Sequence, residues 1–219
     1  MIVRRSAAAL LSTALLPCAL AAQPDPVVVL ERAERVYAGV ATLRAEFSQV
    51  LDNPMLGEPE PSSGVMFLKP PNKFAMRFKD PEGDRIVADG TWLWTYAPSS
   101  VPNQVIKSEI PAHGATTPNL MAEFVERPLA RYNAAYVGVD TVVGETVDVI
   151  RLTPKVEGLP FRQAVISVAR SDGLLRRIAI REESGQMRTI VLEKIQVNVL
   201  VPESEVSFDV PSGVRVVRQ

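Results

Sequence analysis

The chain has 219 residues, 47% of them hydrophobic and 22% charged, the balance of a globular protein with a substantial core. Its 24 lysines and arginines stand against 25 aspartates and glutamates, which excludes the basic surplus that binds nucleic acid or an anionic membrane. One cysteine and one histidine leave little material for disulfides, thiol chemistry or a metal site.

Residues 1–22 read as a secretory signal peptide. "MIVRR" is a basic leader and "SAAALLSTALLPCALAA" is an apolar run ending in small residues, with cleavage after Ala21 or Ala22. Pro17 breaks the run, which falls short of the ~20 residues of a membrane span. Cys18 follows Pro17 rather than the small residue of a lipidation signal, so it goes with the discarded peptide. Without Arg4 and Arg5 the charge is 22 basic against 25 acidic residues, a net −3. Residues 23–219 fit one domain, since β sandwiches and barrels often run to about 200 residues as a unit.

The mature chain opens on a helix, with Asp25 as N-cap and Pro26 at the first helical position. Val29, Ala33, Val36, Val40, Leu43 and Phe47 recur at spacings of three and four, so the stripe predicts a long helix through "AEFSQVL". Residues 52–63, rich in proline and acids, read as a loop. Short strands follow at 64–69, 73–79, 85–88 and "TWLWTY", joined by "PPN", "DPEGD" and Asp89-Gly90. Pro70 and Pro71 would break a central strand, so they belong at the corner between two strands. "TTPNLMAEFVERP" predicts a short helix, with Thr117 as N-cap, Pro118 at its first position and Pro128 beyond its end. Strands resume at 134–139, 146–153, 161–170, 174–183, 187–199, 205–208 and 214–217. In "TIVLEKIQVNV" the alternation changes phase near Glu193–Lys194, the mark of a β-bulge. The expected fold is mainly β with α: a strongly curved antiparallel sheet with helices on its concave face. A two-sheet sandwich is the other arrangement that fits.

Catalytic equipment is sparse. His113 is a lone loop histidine, and there is no G-x-S-x-G elbow, phosphate loop, dinucleotide fingerprint or H-E-x-x-H. No catalytic residue, metal ligand or cofactor is expected. A paired-carboxylate glycosidase has no positive signal. An enzyme of another kind acting on a lipid or glycan is a further alternative, and activity dependent on His113 would be its sign. Large apolar residues, by contrast, crowd residues 66–96. Phe74, Met76 and Phe78 share one face of their strand, and Trp92, Trp94 and Tyr96 one face of theirs. Methionine with aromatics suits either a core or an adaptable apolar pocket.

The order of these features resembles the LolA family, periplasmic carriers of outer-membrane lipoproteins, over nearly the whole mature chain. The likeness rests on "TLRAEFSQV", on "GVMFLKPPNKFAMRF" followed by "IVADGTWLWTYAP", on "TTPNLM" and "LTPK", and on "VSFDVPSGVRVV". The resemblance implies an incomplete β-barrel whose helices form a lid over a hydrophobic cavity. It implies a non-enzymatic, monomeric periplasmic carrier. Such a carrier takes acylated lipoproteins from an inner-membrane ABC transporter and hands them to an outer-membrane receptor, without nucleic-acid partners. The acyl cavity would be drawn from Phe47, Phe67, Phe74, Met76, Phe78, Trp92, Trp94, Leu120, Met121 and Phe124, and strand alternation requires some of these to point outward. The chain departs from the family where Pro70-Pro71 replaces Arg-Pro, an arginine associated with holding the lid closed, and where Met76 replaces a frequent tryptophan. Lys69 and Arg77 are the candidates to replace that arginine. A lipid- or lipoprotein-sensing periplasmic regulator of related fold, or a lipidated outer-membrane acceptor, are the alternative roles.

Overall fold

The computed structural model describes residues 23–55, 57–110, 120–157 and 159–219. The leader, His113, Thr117 and Pro118 lie outside the described residues. Helix α1 (Pro26–Ala38) starts as its sequence dictates: the Asp25 carboxylate accepts from the Val27 amide at 2.9 Å, and Pro26 occupies the first turn. It ends far earlier than the apolar stripe predicts. Gly39 closes the helix, its N–H reaching the Val36 carbonyl at 3.1 Å, and the chain turns into strand β1 (Leu43–Asp52). Leu43 and Phe47 lie four apart, a spacing that satisfies both the helical and the strand period. Ala45 and Gln49, buried on the same side, show which period holds.

Strand β2 (Glu60–Lys69) begins inside the expected loop, and β3 (Lys73–Asp80), β4 (Arg85–Asp89) and β5 (Trp92–Tyr96) follow as a meander. Strand β6 (Gln104–Glu109) has no sequence signal: Val105 alone among its residues is buried, so there is no alternation to read. Helix α2 (Leu120–Val125) is followed at once by a helical turn, α3 (Pro128–Arg131), which Pro128 opens rather than excludes. Five strands then run β7 (Tyr132–Val142), β8 (Glu145–Pro154), β9 (Phe161–Ala169), β10 (Leu175–Glu182) and β11 (Met187–Val197), and the last is β12 (Arg215–Arg218). The expected strand at 205–208 is instead a short 3₁₀ turn, Glu203–Glu205, with an irregular tail.

The twelve strands among the described residues form one sheet, in the order β12-β6-β5-β4-β3-β2-β1-β11-β10-β9-β8-β7. Neighbours are antiparallel except β12, which runs parallel to β6. β12 and β7 lie at opposite edges, so the sheet stays open, and the two-sheet sandwich is not formed. The register of β1 on β11 shifts between Arg44 and Glu46, opposite Gln196 and Glu193, and Lys194 has a φ of 49°. The bulge therefore falls where the phase change in the sequence places it.

The two faces of the sheet are buried by different partners. On the concave face, α1 contributes Val29, Leu30 and Ala33 to the core cluster that also holds residues from β1, β2, β3 and β8 to β11. Buried Asp148 of β8 helps to fix that helix. It accepts from Arg170 at 2.6 Å and from the Tyr136 hydroxyl at 3.1 Å, and meets Arg32 of α1 at 3.4 Å. On the outer face the C-terminal tail inserts Val206 and Phe208, the latter ring 5.4 Å from Trp94 and 5.9 Å from Tyr96.

The β4–β5 hairpin turns on Asp89. Its carboxylate accepts from the amides of Thr91 and Trp92, both at 2.8 Å, and from the Trp94 indole N–H at 2.7 Å. Partial burial opposes ionisation, but these hydrogen bonds outweigh it and hold the carboxyl below its ordinary range. A depressed folded pKa contributes stability that is complete above the unfolded value of about 3.9 and is lost as pH falls through the lower folded value. Below about pH 4, stability should therefore fall more steeply in the parent protein than in Asp89→Asn. Acid melting curves of the pair test this, and parallel curves would refute it.

Candidate functional site

The register of the central strands arranges the concave side chains in rows across the sheet. Leu192, Phe47, Gly64 and Phe78 form one row, on β11, β1, β2 and β3. Met66, Met76 and Ile86 form the next, and Leu43, Leu68, Phe74 and Ala88 the one after. Phe47 and Phe78 meet edge to face, their centroids 5.2 Å apart. Gly64 makes that contact possible. A Cβ there would sit 2.9 Å from Phe47 and would overlap the carbonyl oxygen of Arg77.

Helix α2 fills one part of this interior. Met121 and Phe124 are fully buried, and Phe124 lies 5.8 Å from the Phe161 ring and 5.9 Å from Tyr132. Tyr37 of α1 links the helix to the sheet: its hydroxyl lies 3.7 Å from the Met121 sulfur and accepts from the Leu175 amide at 3.2 Å. Burial pushes that phenol well above its usual pKa, so it stays a neutral donor. On the other flank of α2, buried Glu123 is held at 3.1 Å by Arg131 of α3 and accepts a hydrogen bond from the Tyr132 hydroxyl. Burial and this carboxylate together raise the Tyr132 pKa. Between the two helices Arg127 adopts left-handed backbone angles, and its amide donates to Glu34 of α1 at 3.2 Å.

Beyond the filled part, the same concave face continues into a cavity of about 620 Å³ at the end of β1, β3 and β4. Met76, Phe78, Ile86 and Leu51 form its apolar wall, and Gln49 and Arg188 lie on its β1–β11 side.

The structure thus gathers Phe47, Phe74, Met76, Phe78, Met121 and Phe124 of the sequence-derived set on one interior, with Leu120 as the first residue of α2. Three others lie elsewhere. Phe67 and Trp94 alternate to the outer face and pack beneath the C-terminal tail, and Trp92 sits on the same outer face, 4.1 Å from the Lys107 ammonium. Lys69 and Arg77 lie away from α2: they pair with Glu203 at 3.1 Å and Glu205 at 2.9 Å on the outer face. Among the described residues, Arg131 is a cation paired with α2, through Glu123 at 3.1 Å. Sequence reading also missed Leu51, Ile86, Met66 and Phe161. The alternation within β4 could have supplied Ile86, and the pairing of Met66 with Met76 was available once the Pro70-Pro71 corner was placed.

Residues 38–209 match the family described as outer membrane lipoprotein carrier protein LolA. The chain belongs to the LolA family. An outer-membrane lipoprotein carrier protein of Halorhodospira halophila is 26% identical over 189 residues, covering 85% of this chain and 84% of that one. Its counterpart in Serratia proteamaculans is 30% identical over 179 residues, 81% of each. Among solved structures, an uncharacterized conserved protein of Thermus thermophilus superposes with a TM-score of 0.56 at 13% identity, covering 88% of this chain and 98% of that one, a likeness of fold. LolA proteins are carriers rather than enzymes. Among the described residues no group of histidine, cysteine, aspartate or glutamate could hold a metal ion, and no helix is long and apolar enough to cross a membrane.

Proposed function

We propose that this LolA-family protein carries acylated lipoproteins through the periplasm, from an inner-membrane ABC transporter to an outer-membrane receptor, as a monomer with their acyl chains on its concave face. The observation that carries this reading is continuity. The apolar rows run without a polar break from the interior filled by α2 to Met76, Phe78 and Ile86 in the open cavity. Each exposed methylene of an acyl chain costs about 0.8 kcal/mol in water, so a multiply acylated cargo needs such a covered surface to leave a membrane. Acyl chains entering from the cavity would displace Met121 and Phe124. One set of buried apolar contacts then replaces another, which keeps the affinity low enough for release without ATP or a covalent step. Residues 1–22 would direct export.

The test is release. The purified mature protein is incubated with spheroplasts, and the supernatant is probed for acylated lipoprotein bound one to one. Soluble complex is the expected result. Its absence, from folded protein with its cognate transporter present, would overturn the carrier reading and leave a sensing role.

A further inference from the structure

The cavity is not apolar throughout. On its β1–β11–β2 side the concave face carries a step of polar residues between the apolar wall and the open rim. Gln49 is buried in the row next to Phe47, and its amide nitrogen donates to Ser62 Oγ on β2 at 3.2 Å. One row further out, Arg188 stands opposite Leu51, diagonal to Gln49. All three side chains line the cavity. Arg188 is under-used by the protein. Its ion pair to Glu182 is a long 3.4 Å, and its buried Nε has no acceptor among the described residues. A guanidinium offers five donors, and leaving a shielded one unmade is costly unless an acceptor arrives. The pattern is that of an amphipathic ligand: hydrocarbon along Met76, Phe78 and Ile86, and an acceptor oxygen at Arg188 and Gln49.

We propose that Arg188 and Gln49 recognise the ester carbonyl at the head of a bound acyl chain and fix its depth in the cavity. This rests on the carrier reading and goes beyond it, because it gives the cavity a polar end and the ligand a direction. Glu60 of β2 and Arg188 of β11 flank Leu51 from opposite sides, and Glu58 also lines the cavity, so a neutral ester meets less repulsion there than a free carboxylate.

The experiment is displacement of a bound apolar dye, 1-N-phenylnaphthylamine, from the mature protein by hexadecane, methyl palmitate and palmitate. The parent protein should bind methyl palmitate more tightly than hexadecane. Arg188→Met should weaken methyl palmitate by about tenfold, the loss of one good hydrogen bond, while hexadecane is unchanged. Gln49→Leu, which keeps the volume and adds no charge, should act in the same direction and guards against a folding defect at Arg188. Melting curves confirm that each variant is folded. Equal displacement by methyl palmitate in parent and both variants would overturn the assignment while leaving the carrier reading intact. Weakening confined to palmitate would overturn the ester in favour of a carboxylate. Failure of all three compounds to displace the dye from the parent would overturn both readings.

Discussion

Arg131→Ala should loosen α2 from the interior and raise the binding of an environment-sensitive apolar dye to the ligand-free protein. The guanidinium lies 3.1 Å from Glu123, whose side chain is almost wholly buried, and also caps the helix end, donating to the Glu126 carbonyl at 2.7 Å. Removing one partner of a buried pair typically costs about 3–5 kcal/mol, and the partial exposure of Arg131 puts this case near 3. That penalty falls on the closed arrangement alone, because a displaced α2 returns Glu123 to water. About 3 kcal/mol shifts a closed-to-open ratio by roughly a hundredfold. Amide exchange across residues 120–125 should quicken correspondingly, while exchange in β8 and β9 stays slow. Lys69→Ala and Arg77→Ala, which lose contacts on the outer face, should leave both readouts at the parent level. Dye binding and exchange unchanged in Arg131→Ala would show that this pair does not hold the helix.

The legible parts of this fold were those where one local pattern had one meaning. Asp25-Pro26 could only start a helix, Asp89-Gly90 could only turn a hairpin, and the phase change at Glu193–Lys194 could only be a bulge. The errors arose where a pattern had two meanings. Leu43 and Phe47 continue the stripe of α1 and also alternate as a strand, and the sheet won because β2 and β11 supply partners on both sides of β1. The same ambiguity limits the site. Alternation shows that Trp92 and Trp94 share a face, but not that this face is outward, since that depends on a C-terminal tail more than a hundred residues away. Glu123, Arg131 and Tyr132 are near one another in sequence, yet their grouping depends on Arg127 reversing the chain with left-handed angles, for which an arginine gives no signal. Gln49 and Arg188 are brought together only by the register of β1 on β11.

Gly64→Ala should be the most damaging single-methyl change in the concave face. The glycine sits where the β2–β3 register slips between Ser63 and Gly64, and it faces inward between the rings of Phe47 and Phe78. An added Cβ would overlap the Arg77 carbonyl oxygen, a backbone atom that cannot swing aside, and would lie 2.9 Å from Phe47. To relieve the first contact β2 must move off β3, and to relieve the second Phe47 must leave its edge-to-face contact. Overpacking usually costs about 1–3 kcal/mol, and a clash with backbone belongs at the top of that range or above it. For a chain of this size, about 3 kcal/mol lowers the melting temperature by roughly 6–12 °C. Function should suffer more than stability. Phe78 is both the partner of Phe47 and part of the cavity wall, so displacing the pair reshapes the wall on which the acyl chains are proposed to lie. A Gly64→Ala protein that is still folded at low temperature should therefore release less acylated lipoprotein from spheroplasts. Phe47→Leu in the same background should restore part of both losses, since it removes the ring that the new methyl meets. If Gly64→Ala melts with the parent and releases cargo normally, Gly64 is not wedged against Phe47 and the Arg77 carbonyl, and the Phe47–Phe78 contact is not needed for release.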